Sequence, residues 1–551
     1  MRRREEGWWQ AEVETARPGS DYGFVLDGEG PFPDPRSGFQ PHGVNGLSRI
    51  VDHPKFSWAD ADWKAPPLSS AVIYEMHVGT FTPAGTFVGA LEKLDHLVKL
   101  GVTHIELMPV NEFSGAHGWG YDGVDLFAPH HEYGSPEELK EFVNACHARR
   151  MAVILDVVYN HLGPAGNHLG KFAPYFTGRY TSPWGPAVNF DDADSTQVRR
   201  FFCDNALMWL KDYHSDGLRL DAVHAIIDTS AQPFLEQLAQ EVKQLEATLG
   251  RGLCLIAESD LNDPRLLRPS ECGGLGLDAQ WSDDFHHALH TVLTGEQSGY
   301  YEDFGTLAGL GKALRQAFVY DGNYSVHRRR NHGRPPGRLS GHRFLAYLQN
   351  HDQVGNRATG DRSSQLMSPG RLKIGAAIVL TSPFVPMLFQ GEEWGASTPF
   401  QYFTDHTDPK LGEAVRQGRR REFAAFGWAP EQVPDPQSRE TFHRSKLNWS
   451  ELEDSKHQDL LNWHSRLIEL RRSEPALTDG QMDKLRFQWD EEARWFVVER
   501  GAVGIFCNLA KEPQGLPCAG FNHLLLASEP TLRIHEGRIP MPSDSVAILK
   551  S

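Results

Sequence analysis

Cysteine is scarce in this chain. Cys146, Cys203, Cys254, Cys272, Cys507 and Cys518 are scattered over 551 residues with no C-x-x-C pair. That pattern suits reduced thiols and a cytoplasmic address better than a disulfide framework. Long apolar runs are missing too: nothing approaches the ~20 residues of a membrane span. Arg2, Arg3 and Arg4 have no apolar stretch behind them, so no secretory signal is visible. Positive charge is in deficit. Lys and Arg total 55 against 72 Asp and Glu, a net charge of -17, which argues against nucleic acid or an anionic membrane as partner. There is no internal repeat and no acidic loop of calcium-binding type. What remains is a chain with 40% apolar residues, ample for a core. Its length implies several domains or one large barrel with additions. This balance suits an enzyme with a neutral substrate.

The stretch Asp216-Gly217-Leu218-Arg219-Leu220-Asp221 reads as a short apolar strand ending in charge. Charges at such a place are paired or functional, because an unpaired buried charge is very costly. Two other strand patterns end the same way, Leu255-Ile256-Ala257-Glu258 and Ala346-Tyr347-Leu348 before His351-Asp352. Three carboxyl groups on three strand ends converge if the strands run parallel in a barrel.

The chain in order supports a barrel. Up to about Pro66 it is rich in Gly, Pro and aromatics, with short alternating runs at Trp9–Val13 and Tyr22–Leu26. These read as strands of a β-sandwich, incomplete because an independent one takes ~100 residues. Strand patterns then follow at Val72–Met76, His104–Val110, Val153–Val158, Leu218–Asp221, Leu253–Ala257, Gly276–Trp281, Phe344–Leu348 and Val385–Phe389. Helical patterns separate them. One is ended by Gly101, one is opened by the capping box Ser135-Pro136-Glu137-Glu138, and one spans Ser195 to Tyr213. Eight alternations call for a (β/α)8 TIM barrel of the α/β class, with insertions after strands three and six. Alternating strands return from Leu485, as in Val503–Asn508, and predict a C-terminal β-sandwich. The expected division is residues 1–66, N-terminal module; 67–480, barrel with a small subdomain inserted near 162–192; and 481–551, C-terminal sandwich. The basic run Arg328-Arg329-Arg330 reads as a solvated surface turn.

Catalytic groups of a barrel lie at the C-terminal strand ends. Paired carboxyl groups about 5–5.5 Å apart give retaining glycoside hydrolysis. In that reading Asp221 is the nucleophile, Glu258 the acid and then the base, and Asp352 stabilises the distorted sugar. Arg219 falls on the same strand face as Asp221. Strand ends alone leave a purely structural ion network equally open.

Further motifs now bear on the choice. Asp156-Val157-Val158-Tyr159-Asn160-His161, Gly217–Asp221, Glu258 and Asn350-His351-Asp352 occur in that order. They resemble the four motif regions of the α-amylase superfamily. The resemblance implies retaining chemistry on α-glucosidic bonds, with Asp221, Glu258 and Asp352 in the roles just given. It implies a stacking platform at Tyr121, otherwise an ordinary core aromatic, and sugar contacts from Asn160, His161, Arg219 and His351. The runs Trp281–His287, Thr294–Tyr301, Asp352–Arg357 and Phe389–Trp394 further resemble the superfamily's trehalohydrolases. That implies malto-oligosyl trehalose as substrate, cut at the α-1,4 bond next to its terminal trehalose, with no metal or other cofactor. It adds His224, Asp283, Asp284, Phe285, His286, His287, Gln353 and Asn356 to the cleft. For His224 a helix-cap or packing role stays open, and for Asp283 to His287 a divalent-metal site. Glucan branching or plain α-amylase activity uses the same three acids and is the alternative.

Overall fold

In the computed structural model, residues 1–182, 185–424 and 428–551 are described. Residues 183–184 of the expected 162–192 subdomain, and 425–427 within the expected barrel span, lie outside them. Eight short strands close into a parallel barrel: β1 (Ile73–Met76), β2 (His104–Leu107), β3 (Ala152–Val157), β4 (Gly217–Leu220), β5 (Cys254–Ala257), β6 (Ala279–Trp281), β7 (Phe344–Ala346) and β8 (Val385–Phe389). Each strand pairs with its sequence neighbour, and β8 pairs with β1. Strand residues alternate between inside and outside. Ile73, Ile154, Ile256, Trp281, Leu345 and Met387 fill the interior as one apolar cluster. One strand repeat further toward the C-terminal mouth, the inward positions become Glu75, Asp156, Arg219 and Glu258. The larger core lies between the barrel and its helices.

The longer helices are α1 (Leu94–Leu100), α2 (Pro136–Ala148), α3 (Ser195–Asp212), α4 (Phe234–Leu249), α5 (Asp283–Thr294), α6 (Leu307–Gln316), α7 (Pro369–Thr381), α8 (Pro409–Ala424) and α9 (Ser455–Ser473). The expected capping box opens α2: Ser135 Oγ accepts from Glu138 N at 3.2 Å, and Glu138 Oε2 accepts from Ser135 N at 2.6 Å. Its Leu139, Phe142, Val143 and Cys146 are fully buried. Gly101 ends α1 with φ +101, and a Cβ there would meet Ile468 Cγ2 at 2.8 Å. No other residue fits both constraints. Among the described residues no helix is long and apolar enough to cross a membrane.

Three expectations need correction. The eightfold alternation lacks a fifth α-helix: β5 and β6 are joined by 3-10 turns at Pro264–Leu266 and Ser270–Cys272. Pro264, Pro269 and three glycines within Gly273–Gly276 forbid a continuous helix. Insertions follow strands three and six as expected, but also strand two, with the hairpin Asn111–Phe113/Gly123–Pro129, and strand eight, with α8. The N-terminal residues form three separate two-stranded ladders rather than a sandwich. Ladders two to four residues long cannot bury a face of their own, so this segment leans on the barrel. Trp63 Nε1 donates to Asp216 Oδ1 at 2.8 Å, and Trp58 stacks on His214 with centroids 3.8 Å apart. The basic run Arg328-Arg329-Arg330 is a surface turn as expected, with Arg329 and Arg330 exposed, but Arg328 reaches inward. It holds Asp260 at 2.8 Å, two residues beyond Glu258.

The C-terminal strands form a five-stranded sheet facing a two-stranded one. Phe496, Val498, Ile505 and Ile548 point toward the barrel core. Val497, Phe506 and Leu549 point into the space between the sheets.

Candidate active site

Register places the two central acids. Within the barrel, Asp156 pairs with Arg219 across β3 and β4, and Leu220 pairs with Ala257 across β4 and β5. Glu258 N donates to Leu220 O at 3.0 Å and Asp221 N to Val157 O at 3.0 Å. Asp221 and Glu258 therefore leave neighbouring strand ends side by side. Arg219, wholly buried, ties them together. Its Nη1 reaches Asp156 Oδ2 at 2.7 Å and Asp221 Oδ1 at 2.9 Å, and its Nη2 lies 3.5 Å from Glu258 Oε2. The guanidinium carbon sits 4.2 Å from the Trp281 ring centroid. One cation thus serves three largely buried carboxyl groups, where charge interactions are stronger than in water.

Asn160 Nδ2 donates to Asp221 Oδ2 at 2.7 Å and to its carbonyl at 2.8 Å. Asn160 in turn is held by His161 Nδ1. Ala222, next after Asp221, is left-handed at φ 38, a conformation that is strained for a residue with a Cβ. The strain turns its N–H onto Glu258 Oε2 at 2.5 Å. Burial, then the charges of Asp221, Asp352 and Asp283, push Glu258 well above the usual carboxylate range, with Arg219 opposing. That is the behaviour of a carboxylic acid able to donate a proton near neutrality.

Asp352 stands at the start of the short helix His351–Gly355. Asn350 Oδ1 accepts from Asp352 N at 2.9 Å, and Gln353 Oε1 accepts from Asn350 N at 3.0 Å. The cap fixes the direction of Asp352, whose side chain is 39% exposed in the cleft. Tyr121 donates to Asp156 Oδ2 at 2.6 Å and stacks on His351 with centroids 5.2 Å apart.

The cleft over these groups has a volume of about 830 Å³. Asp221, Glu258, Asp352, Tyr121, His161, His224, His351 and Asn356 all line it. His224 is exposed there on a 3-10 turn, Val223–Ala225, rather than packed or capping. Asn160 and Arg219 lie one layer behind, holding Asp221. Gln353 is spent on the cap.

Asp283 to His287 are the main correction at the site. They form the first turn of α5, not a strand end, so successive side chains fan out by about 100°. Only Asp283 turns to the site. Tyr347 donates to it at 2.6 Å, and burial, with Asp260 and Asp352, pushes it up to about 6. Asp284 faces away, taking Asn262 Nδ2 at 2.7 Å and the backbone N–H of Val319 and Tyr320. Phe285 is core against Phe384. His286 stacks on Tyr347 and His287 packs on Tyr300 and Tyr301.

The far wall was not foreseen. Tyr402, Phe403 and Thr404, then Val415, Gly418, Arg419 and Glu422 of α8, close the cleft opposite the acids. The aromatic run Phe400-Gln401-Tyr402-Phe403 after the last strand was the available signal. Two adjoining carboxyl groups, one shifted up and one anchored by a cation, beneath an aromatic-lined groove, suit cleavage of a glycosidic bond.

A closed parallel barrel with this constellation at its C-terminal mouth defines a glycoside hydrolase of the α-amylase fold. Residues 54–172 match the family described as alpha amylase, catalytic domain, and residues 484–548 match a domain of unknown function. The malto-oligosyltrehalose trehalohydrolase of Arthrobacter ramosus is 51% identical over 94% of this chain and 90% of its own. The one from Mycobacterium tuberculosis is 48% identical over 100% of this chain and 95% of its own. A crystal structure of an alpha-amylase-type protein from Salmonella typhimurium superposes with a TM-score of 0.89 at 38% identity, covering 98% of this chain and 92% of that one. The chain belongs to the malto-oligosyltrehalose trehalohydrolase family.

Proposed function

We infer that this protein hydrolyses malto-oligosyl trehalose at the α-1,4-glucosidic bond next to the terminal trehalose unit, with retention, releasing trehalose. The observation that carries the reading is the pair Asp221 and Glu258 on a single guanidinium, in a chain about half identical to trehalohydrolases along its length. Glu258 donates its proton to the leaving oxygen while Asp221 attacks the anomeric carbon. Glu258, now a base, then takes a proton from the water that opens the glucosyl ester. Asp352 accepts hydrogen bonds from ring hydroxyls and offsets the positive charge of the oxocarbenium-like transition state. Tyr121, His161, His224, His351 and Asn356 line the sugar path, with Asn160 and Arg219 fixing Asp221 from behind. The unpaired cysteines support a cytoplasmic place of action.

The test is a product analysis. A malto-oligosyl trehalose and a malto-oligosaccharide of equal length are digested side by side. Free trehalose from the first, with the second cut far more slowly, is expected. Equal hydrolysis of both overturns the substrate, and new α-1,6 linkages point to branching.

A further inference from the structure

Outside the cleft, the hairpin after β2 carries a second cluster that the proposed reaction does not use. Glu112 lies on its first strand, and His130 and His131 directly follow its second, Gly123–Pro129. Glu112 and His130 are completely buried, and the His131 side chain is 23% exposed. The three donor atoms lie within 4.8 Å of one another. His131 Nδ1 stands 2.9 Å from Glu112 Oε1, and His130 Nδ1 stands 3.3 Å from Glu112 Oε2.

Ion pairing of Glu112 with His131 and with His130 Nδ1 accounts for part of this arrangement, but not for the far nitrogen of His130. Its ring is stacked 3.7 Å from Phe113; Nδ1 faces Glu112 Oε2 at 3.3 Å without hydrogen-bond alignment, and Nε2 has no hydrogen-bond partner. A buried imidazole without a well-aligned hydrogen bond is costly, and such groups in native proteins are satisfied by a partner or an ion. Asp125, the ladder partner of Glu112, also keeps a buried oxygen without a partner.

We propose that Glu112, His130 and His131 bind a divalent transition-metal ion of the zinc class. Zinc takes imidazole nitrogen and carboxylate oxygen at ~2.0–2.1 Å, so neighbouring ligands of a tetrahedron stand roughly 3.3 Å apart. The two carboxylate–imidazole spacings, 2.9 and 3.3 Å, are already near that edge. Two imidazoles and a single carboxyl select a borderline metal over calcium, which takes six to eight oxygens. The exposed edge of His131 gives the ion access and leaves a position for water. The ion would fasten both strands of the hairpin whose connecting loop carries Trp119 and Tyr121 to the cleft, so its role is structural.

The test uses the full-length chain, stripped with chelator and titrated with zinc chloride by calorimetry. Cobalt substitution reports the ligand geometry by absorption. One equivalent of zinc per chain is expected, with a rise in melting temperature. Affinity should fall at least about tenfold in Glu112→Gln and in His131→Ala, and the tetrahedral cobalt spectrum should be lost. Circular dichroism checks folding, and if Glu112→Gln does not fold, His131→Ala, at the partly exposed ligand, decides alone. Absence of stoichiometric binding, or binding unchanged in His131→Ala, overturns the site.

Discussion

Glu75 grips His351 twice. Its Oε1 lies 2.5 Å from His351 Nδ1, and its Oε2 accepts the His351 backbone N–H at 3.0 Å. Both groups are fully buried. The other ring nitrogen stands 3.6 Å from Asp352 Oδ1. Burial alone would lower the imidazole, but Asp352 and Glu75 outweigh it and raise it from 6.5 to about 9. A histidine raised in the folded state adds stability that is complete below its unfolded value and is lost as pH rises through about 9. Glu75→Gln removes one of the two carboxyl groups responsible. Its destabilisation should be largest near pH 6, on the order of 2–3 kcal/mol, and should shrink above about pH 9. Denaturant melts at both pH values check this. A deficit independent of pH would mean that Glu75 acts by packing alone.

A second pH effect follows from Asp283. Above its own value of about 6 it is charged, and it is one of the charges that raise Glu258. If Glu258 must be protonated to act, activity falls as pH rises through its raised value. Asp283→Asn removes a like charge, so Glu258 drops and the alkaline limb moves to lower pH, by roughly half a unit to one unit. Asn can still accept from Tyr347, so folding is kept. Rate against pH for both proteins is the measurement, and superposable alkaline limbs would remove Asp283 from this role.

Asp221→Asn tests the proposed nucleophile without dismantling the site. Arg219 keeps both contacts to Asp156, at 2.7 and 2.8 Å, so its charge stays paired. The variant should melt within a few degrees of the parent, still bind substrate, and lose at least ~10³-fold in turnover, as essential catalytic groups do. Near-normal turnover would transfer the nucleophile's role elsewhere.

These residues were legible in the sequence because β-strands have a period of two and barrel chemistry sits at strand ends. A carboxyl directly after a short apolar run, as at Asp221 and Glu258, has one place to go. Asp284 and Phe285 misled for the same reason. They too follow an apolar strand, Ala279–Trp281, but α5 begins at Asp283, and helical spacing sends neighbours in different directions. Glu75 and Glu106 sit inside strands, where charge reads as an exception rather than as a barrel interior. Only the aromatic run around Tyr402 hinted at the far wall; nothing in the sequence ties α8 to the acids, because that contact spans a loop with no strand or motif to register it.

That far wall yields the last prediction. Arg419 helps to fasten α8 to the catalytic side. Its Nη2 donates to Gly355 O at 2.9 Å, the last residue of the helix that bears Asp352, and its Nη1 pairs with Glu422 at 3.1 Å. Its guanidinium lies 5.0 Å from the Tyr402 ring centroid. Fork geometry and ring stacking are both properties of Arg that Lys lacks. Arg419→Ala should therefore loosen the wall of the cleft while leaving Asp221 and Glu258 in place. KM should rise roughly 5–30-fold, the equivalent of 1–2 kcal/mol, with kcat changed much less. Arg419→Lys should recover little of the loss. Steady-state kinetics on a malto-oligosyl trehalose series decides the matter: an equal fall in kcat and in kcat/KM would mean that Arg419 acts on the transition state through Asp352, not on the binding of the chain.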